Sequence, residues 1–445
     1  MDTAPRTLLI ANRGEIAVRI IRTAQARGLT AVAVRSTDEE ALGAAAGLHV
    51  QLADEVVTLP GRGAAAYLDA EAVVAAAAAA KAQLVHPGYG FLAESAHLAQ
   101  LCAEAGLTWV GPSPEALALF GDKRATRQRA VELGVPVPAA TELLEVADPD
   151  SALSAVRQLL AEHQDGIAIK AVAGGGGRGI RFVTDPDELE RALTTCAAEA
   201  RAGFGDDRIV AEALITGARH IEVQVLGTAD GVVVLGDRDC SIQRRRQKLV
   251  EIAPAPHLSD DLRARLHADA QRLCASAGYA SLATVEFLVT GEDHVLLEVN
   301  PRIQVEHTVT EQVTGLDLVD CQLDAALGEA GALGSASAPR GFAVQLRVAA
   351  ENVGEQGDPS PSVGTATAVR WPTGPGVRVD TWVEAGSRVT GSFDSLLGKI
   401  IVQGPTLAAA LRAGDRALRE TSISGLDTTV GLLRAIGEVD RKSVV

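Results

Sequence analysis

The segment 284–307, TVEFLVTGEDHVLLEVNPRIQVEH, constrains this chain more than any other. Val285, Phe287 and Val289 alternate with Glu286 and Leu288, and Val295, Leu297 and Val299 alternate with Leu296, Glu298 and Asn300. Period-two alternation on either side of a Thr290-Gly291-Glu292-Asp293 break predicts a β-hairpin. With Val289 opposite Val295, Glu286 falls opposite Glu298, on the face that also carries Leu288, Leu296 and Asn300. Directly opposed side chains have Cβ atoms about 5 Å apart. Two carboxylates at that separation repel by roughly 3 kcal/mol at an effective dielectric of about 20. Either they diverge into water or a positive charge lies between them. Two carboxylates and an amide oxygen suit a hard divalent cation such as Mg²⁺, which makes Glu286, Glu298 and Asn300 candidate metal ligands. Pro301, Arg302, Gln304, Glu306 and His307 follow at once and favour the charged reading.

A chain of 445 residues has the length of about three domains. No apolar run reaches the ~18 residues of a membrane span. MDTAPRTLLIANRGE lacks the basic region and apolar core of a signal peptide. Cysteines at 102, 196, 240, 274 and 321 have no paired spacing, so the expected setting is reducing and cytoplasmic. A net charge of −16 argues against a nucleic-acid binder, and seven Phe, three Tyr and three Trp leave little for base stacking. Positive charge is concentrated at 243–248 (QRRRQK), either to hold a small anion or as a solvated basic turn.

The first stretch alternates short apolar runs with helical patterns: strands at Leu8–Ala11, Thr30–Val34, Leu84–His86 and Trp109–Val110, helices at Glu15–Ala26 and Ala70–Lys81. That order implies a parallel α/β layer of Rossmann type, although Asn12-Arg13-Gly14-Glu15 is no dinucleotide fingerprint. A helix over Lys123–Leu133 leads to a junction at Gly134–Pro138. Beyond it strands and hairpins are expected to dominate, at Ile167–Ala171, Gly179–Val183, Ile209–Glu212, Ile221–Leu226 and Val232–Asp237. Gly328–Pro339 reads as a small-residue linker, followed by a β-rich part with one late helix near Ala408–Arg419. The fold class expected is α/β and α+β.

Lys170 ends an apolar strand, and Gly174, Gly175, Gly176, Gly177 and Gly179 follow before the next strand. Glycines let backbone N–H groups approach phosphate oxygens, and such a loop can fold over a ligand. Without a closing Gly-Lys-Ser/Thr it is not a P-loop, and a flexible surface hairpin is the alternative.

The segments IANRGEIAVRIIR (10–22), HPGYGFLAES (86–95), GPSPEALALFGDK (111–123), KAVAGGGGRGIR (170–181), RHIEVQVL (219–226), RDCSIQRRRQK (238–248), EVNPRIQVEHTVTE (298–311) and FDSLLGK (393–399) together resemble biotin carboxylases of the ATP-grasp superfamily, in family order across nearly the whole chain. The resemblance implies an N-terminal Rossmann-like domain at 1–121, an ATP-grasp domain at 122–327 with a lid at about 139–212, a linker at 328–340 and a mixed β-rich domain at 341–445. Lys123 and Lys170 would then contact ATP phosphates under the glycine loop. Glu212, Leu214 and Leu288 would lie at the nucleotide with His220 and Gln243. Glu286, Glu298 and Asn300 would hold Mg²⁺, or Mn²⁺. Lys248, Arg302, Gln304, Val305 and Glu306 would form the bicarbonate site. In that site Glu306, beside Arg302, would be the base, and Arg347 would steady the enolate-like form of biotin.

The chain departs from the family pattern in places. Arg246 stands where histidine is usual, Ile252 where a second acid is, and Ala213 where a lysine is. It ends at Arg441-Lys-Ser-Val-Val445, short of a final helical segment that the resemblance leads one to expect, and whether that is a truncation is not legible. Met1 is the only methionine, so no Met-Lys-Met-like biotinylation motif is present. Biotin is therefore expected on a separate biotin carboxyl carrier protein, with a carboxyltransferase subunit and a second copy of this chain as further partners. No nucleic acid or membrane partner is expected. Two other readings are a carboxylate–amine ligase of the same superfamily and a non-catalytic nucleotide-binding relative. The acyl acceptor is not legible.

Overall fold

A computed structural model describes residues 6–144, 149–163, 165–171, 180–204, 208–329, 338–354 and 357–443. The candidate glycines at 174–177 and 179, and most of the expected linker, lie outside these residues. The chain divides into two compact units. The larger is Met1–Arg129, His220–Phe287 and Glu298–Val445; the smaller is Ala130–Arg219 and Leu288–Leu297.

Within the larger unit the N-terminal part is the expected parallel layer, in the spatial order Glu55–Thr58, Thr30–Arg35, Thr7–Ile10, Leu84–His86 and Thr108–Trp109. Parallel neighbours require crossover connections. The first is the helix Gly14–Ala26, which buries Ile16, Ile20 and Ala24 on one face, as their spacing predicts. The strand Glu55–Thr58, four residues long and partly exposed, carries too little pattern to be read from the sequence.

The loops leaving Thr7–Ile10 and Leu84–His86 emerge side by side, because those strands are neighbours. Asn12 Nδ2 ties them together by donating to Pro87 O and Tyr89 O, both at 2.7 Å. Gly88 turns the second loop at φ +64°, and a Cβ there would meet Asn12 Nδ2 at 3.0 Å. A side chain would thus be strained and would crowd the tie. Glu15 and Tyr89 are brought together in this way, with Tyr89 Oη donating to Glu15 Oε1.

The eight-stranded sheet is ordered Asp293–Asn300, Ser281–Thr290, Arg219–Thr228, Gly231–Arg244, Gln247–Ala253, Phe342–Ala349, Leu396–Gly404 and Val377–Thr381. The hairpin at 281–300 thus forms, turning at Gly291-Glu292. QRRRQK is another hairpin turn: Gly231–Arg244 pairs antiparallel with Gln247–Ala253, and Arg245 and Arg246 both have positive φ, +49° and +68°. A two-residue type I′ turn requires that sign at both central positions. Phe342–Ala349 bonds to Gln247–Ala253, so the sheet continues across the expected boundary at 328–340.

The Gln247–Ala253 strand also explains one departure. Glu251 faces Arg347 and Gln345, whereas Ile252, on the opposite face, joins Val250, Val344, Leu346 and Leu433 in an apolar cluster. Ile252→Glu would place a carboxylate there without a partner. It is expected to destabilise the fold by roughly 3–5 kcal/mol, read as a lower urea midpoint; an unchanged midpoint would show that the cluster admits charge. Leu433 comes from a helix, Val430–Ser443, that the sequence pattern did not announce.

The smaller unit holds an antiparallel sheet ordered Ile180–Val183, Ile167–Ala171, Ile209–Ala213, with helices Pro149–Glu162 and Leu189–Phe204. Its core includes Val156, Ile169, Leu189, Cys196 and Ile209. The strands expected after residue 138 form, but the sequence reading omitted these two helices and Asp260–Ala275. The helical period was present, since Ala152, Val156, Leu159 and Leu160 recur at i, i+4, i+7 and i+8. Among the described residues no helix is long and apolar enough to cross a membrane.

Candidate active site

Along Arg219–Thr228 successive side chains alternate, so His220, Glu222 and Gln224 share one face. Arg238, fully buried, holds Glu222 in place: its Nε donates to Glu222 Oε2 at 3.0 Å, with further bonds to Gln224, Thr284 and Thr310. Lys248 is the second residue of the strand Gln247–Ala253, and its ammonium meets three carboxylates: Glu222, Glu286 at 3.1 Å and Glu306 at 2.8 Å. Those contacts match its three N–H donors.

Glu306 Oε2 also accepts from Arg347 Nη2 at 3.0 Å, and Arg347 Nε reaches Glu251 at 2.5 Å. Burial alone would raise the Glu306 carboxyl, but Lys248, Arg347 and Arg238 outweigh it and hold the group well below the ordinary range. Glu286 likewise falls to about 2, because Lys248 and His220 overcome its burial. Burial, with Glu306 beside it, instead pushes Glu222 up to about 7 despite Lys248 and Arg238. Three acids crowd one ammonium, and of the three it is Glu222 whose value is pushed up. Burial opposes the charge on Lys248, but Glu222, Glu306 and Glu286 raise it well above its ordinary value.

His220 Nε2 lies 2.5 Å from Glu286 Oε2, and Gln243 Nε2 is 3.0 Å from His220 Nδ1. An amide nitrogen can only donate, so the neutral tautomer carries its proton on Nε2, towards Glu286. Asn300 Nδ2 donates to Glu286 Oε1 at 2.8 Å and lies 3.5 Å from Glu298 Oε1. One amide nitrogen therefore touches both acids of the expected metal pair, while the Asn300 oxygen, which a hard cation would need, accepts from Arg302 Nη2 at 3.0 Å. Glu298 is partly exposed, with Lys123 Nζ at 3.4 Å. The repulsion inferred from the sequence is thus relieved by Lys248, His220, Asn300 and Lys123.

Gln304 Nε2 donates to Glu286 Oε1 at 2.8 Å, while its buried Oε1 has no hydrogen-bond partner among the described residues. Val305 O accepts from Lys399. Among the described residues Arg302 makes no ion pair with Glu306. Its Nε donates to Glu94 at 2.6 Å and its Nη2 to Asn300 Oδ1 at 3.0 Å. Glu306 opens the helix His307–Thr314 and is turned to the sheet, where Lys248 and Arg347 meet it. In the smaller unit Lys170 pairs with Glu212, Leu214 N donates to Gly166 O, and Leu288 is half-buried.

Sequence reasoning missed Glu222, Arg238, Glu251, Glu94 and Lys399. Each lies inside or next to a quoted segment, and the His220/Glu222 alternation was a usable signal. Glu94 and Arg302 stand 208 positions apart, a pairing that no local pattern displays.

Three family models match: "Biotin carboxylase, N-terminal domain" at 4–117, "Carbamoyl-phosphate synthase L chain, ATP binding domain" at 122–332 and "Biotin carboxylase C-terminal domain" at 345–442. The chain is 42% identical to a biotin carboxylase of Nostoc sp. over 97% of its own length and 95% of that protein. It is 43% identical to a biotin-dependent acyl-coenzyme A carboxylase alpha3 subunit of Mycobacterium leprae, over 96% and 70%. Its structure is similar to a Campylobacter jejuni biotin carboxylase solved as a β-γ-ATP complex: TM-score 0.90, 35% identity, 98% and 95% coverage. It also resembles the biotin carboxylase domain dimer of Hydrogenobacter thermophilus 2-oxoglutarate carboxylase, solved with MgADP, ADP and bicarbonate: TM-score 0.89, 37% identity, 97% and 94% coverage.

Proposed function

The chain belongs to the biotin carboxylase family, and we propose that it catalyses the ATP-dependent carboxylation of biotin by bicarbonate with Glu306 as the general base. The observation that carries this assignment is the buried Glu306 carboxylate held between Lys248 and Arg347. Bicarbonate must lose a proton as it attacks the γ-phosphate, and a carboxylate within a cationic clamp can take it. The cations that depress Glu306 are also the ones an incoming anion would draw upon, which would raise its basicity when bicarbonate is bound.

Arg302, Gln304 and the Val305 backbone complete the proposed anion site. Lys123, Lys170, Glu212, Leu214, His220, Gln243 and Leu288 are proposed nucleotide contacts. Glu286, Glu298 and Asn300 would hold Mg²⁺, or Mn²⁺, whose charge would offset that spreading over the transferred phosphoryl group. The product, carboxyphosphate, yields CO₂ and phosphate. Phosphate takes the ureido proton of biotin, Arg347 stabilises the resulting oxyanion, and the ureido nitrogen adds to CO₂. Glu251, on the far side of Arg347, keeps that guanidinium aimed. The family works within biotin-dependent carboxylases, and we propose a separate biotinylated carrier protein, a carboxyltransferase and a homodimer as partners. Five buried free cysteines support a reducing, cytoplasmic setting.

The test is phosphate release from ATP, with and without bicarbonate and free biotin. Release is expected to require bicarbonate and to rise with biotin; release indifferent to both would reject the assignment. Chelating divalent ions should abolish release, and Mg²⁺ or Mn²⁺ should restore it. Full activity in chelator would remove Glu286 and Glu298 from the metal role.

A further inference from the structure

The turn Gln304–Glu306 is gripped from below by groups that the mechanism above does not use. Lys399 is a fully buried lysine on the strand Leu396–Gly404, directly opposite Arg347 on Phe342–Ala349. Opposed residues on neighbouring strands project to the same face. The two cations accordingly meet adjacent parts of one turn: Arg347 the Glu306 carboxylate, Lys399 Nζ the Val305 carbonyl at 2.9 Å. The counter-ion of Lys399 is Glu15, at 3.0 Å, itself bonded by Tyr89. The preceding carbonyl, of Gln304, lies 2.6 Å from Nδ1 of the buried His307. A carbonyl only accepts, so that nitrogen carries the proton.

A trans peptide sends its N–H opposite to its C=O. Holding the Gln304 carbonyl therefore aims the Val305 N–H to the other side of the turn, and among the described residues that N–H has no recorded acceptor. Holding the Val305 carbonyl fixes the next peptide, from which the Glu306 side chain departs.

We propose that Lys399 and His307 are positioning residues that lock the two peptide planes of the Gln304–Glu306 turn, so that the Val305 N–H and the Glu306 carboxylate are presented together to bicarbonate. This rests on the bicarbonate reading of the turn. Neither residue touches substrate; each acts through a carbonyl. A purely structural role would lower stability and affect both substrates alike, whereas a positioning role falls on bicarbonate.

The test compares Lys399→Met/Glu15→Gln, which removes both members of the buried pair, with His307→Phe. Both are expected to raise the KM for bicarbonate by about tenfold to a hundredfold, with the KM for ATP held within about twofold. If the double variant does not fold, His307→Phe alone decides. A bicarbonate KM within about twofold of wild type in the folded variants, or an equal rise in both KM values, overturns the inference. Glu306→Gln, assayed alongside, separates the two levels. If it is inactive while the other variants keep the wild-type KM, only the inference fails; if it turns over normally, the bicarbonate reading fails as well.

Discussion

Glu306→Gln should reduce bicarbonate-dependent ATP cleavage by about 10²–10⁴-fold, the usual span of a general base, while nucleotide binding survives. Glutamine keeps the shape, but with one accepting oxygen it can accept from only one of Lys248 and Arg347, and it cannot take a proton at neutral pH. The expected change is therefore in kcat, with nucleotide affinity measured separately by calorimetry. The substitution also removes one of three carboxylates around Lys248, so Glu222 should be easier to ionise, because Glu306 is a main cause of its rise to about 7 after burial itself. Turnover at the wild-type rate would strip Glu306 of its role and leave a structural ion pair with Arg347.

Lys248→Met is expected to remove activity and, in addition, to destabilise the fold by roughly 3–5 kcal/mol, because buried carboxylates lose their shared cation. The effect has a pH signature. In the wild type, Glu286 and Glu306 have depressed folded values, so their stabilising contribution is present above the ordinary carboxylate range and is lost as pH falls through the folded values, about 2 for Glu286. In the variant the sign reverses. Carboxylates buried without Lys248 would titrate above their unfolded values, destabilising the fold at neutral pH and less so as the medium is acidified towards them. Urea unfolding at pH 7.5 and pH 5 should therefore show the gap to wild type narrowing at the lower pH. A gap independent of pH would mean that the lysine contributes packing rather than charge.

How far the site could be read in advance differs residue by residue. The closeness of Glu286, Glu298 and Asn300 was legible because a period of two and a turn fix which side chains share a face. The helix Gly14–Ala26 was legible for the analogous reason, with a period of 3.6. The helices Pro149–Glu162 and Leu189–Phe204 were overlooked beside short apolar strands, though their spacing was available. Arg302 is different. Nothing near it in the chain distinguishes Glu94 from Glu306 as its partner, and only the arrangement of the elements does.

The amino-acid sequence by itself determined the alternating strands and helices at the N-terminus, the hairpin, the acid pair and, through eight segments in register, the family. Only the tertiary structure decided which charges meet. Lys248 gathers Glu222, Glu286 and Glu306 from three separate stretches of chain, and Lys399 reaches Val305 across 94 positions. Local periodicity reports the direction of a side chain, whereas ionic interaction depends on distance and on the surrounding dielectric. Those quantities exist only once the strands have paired.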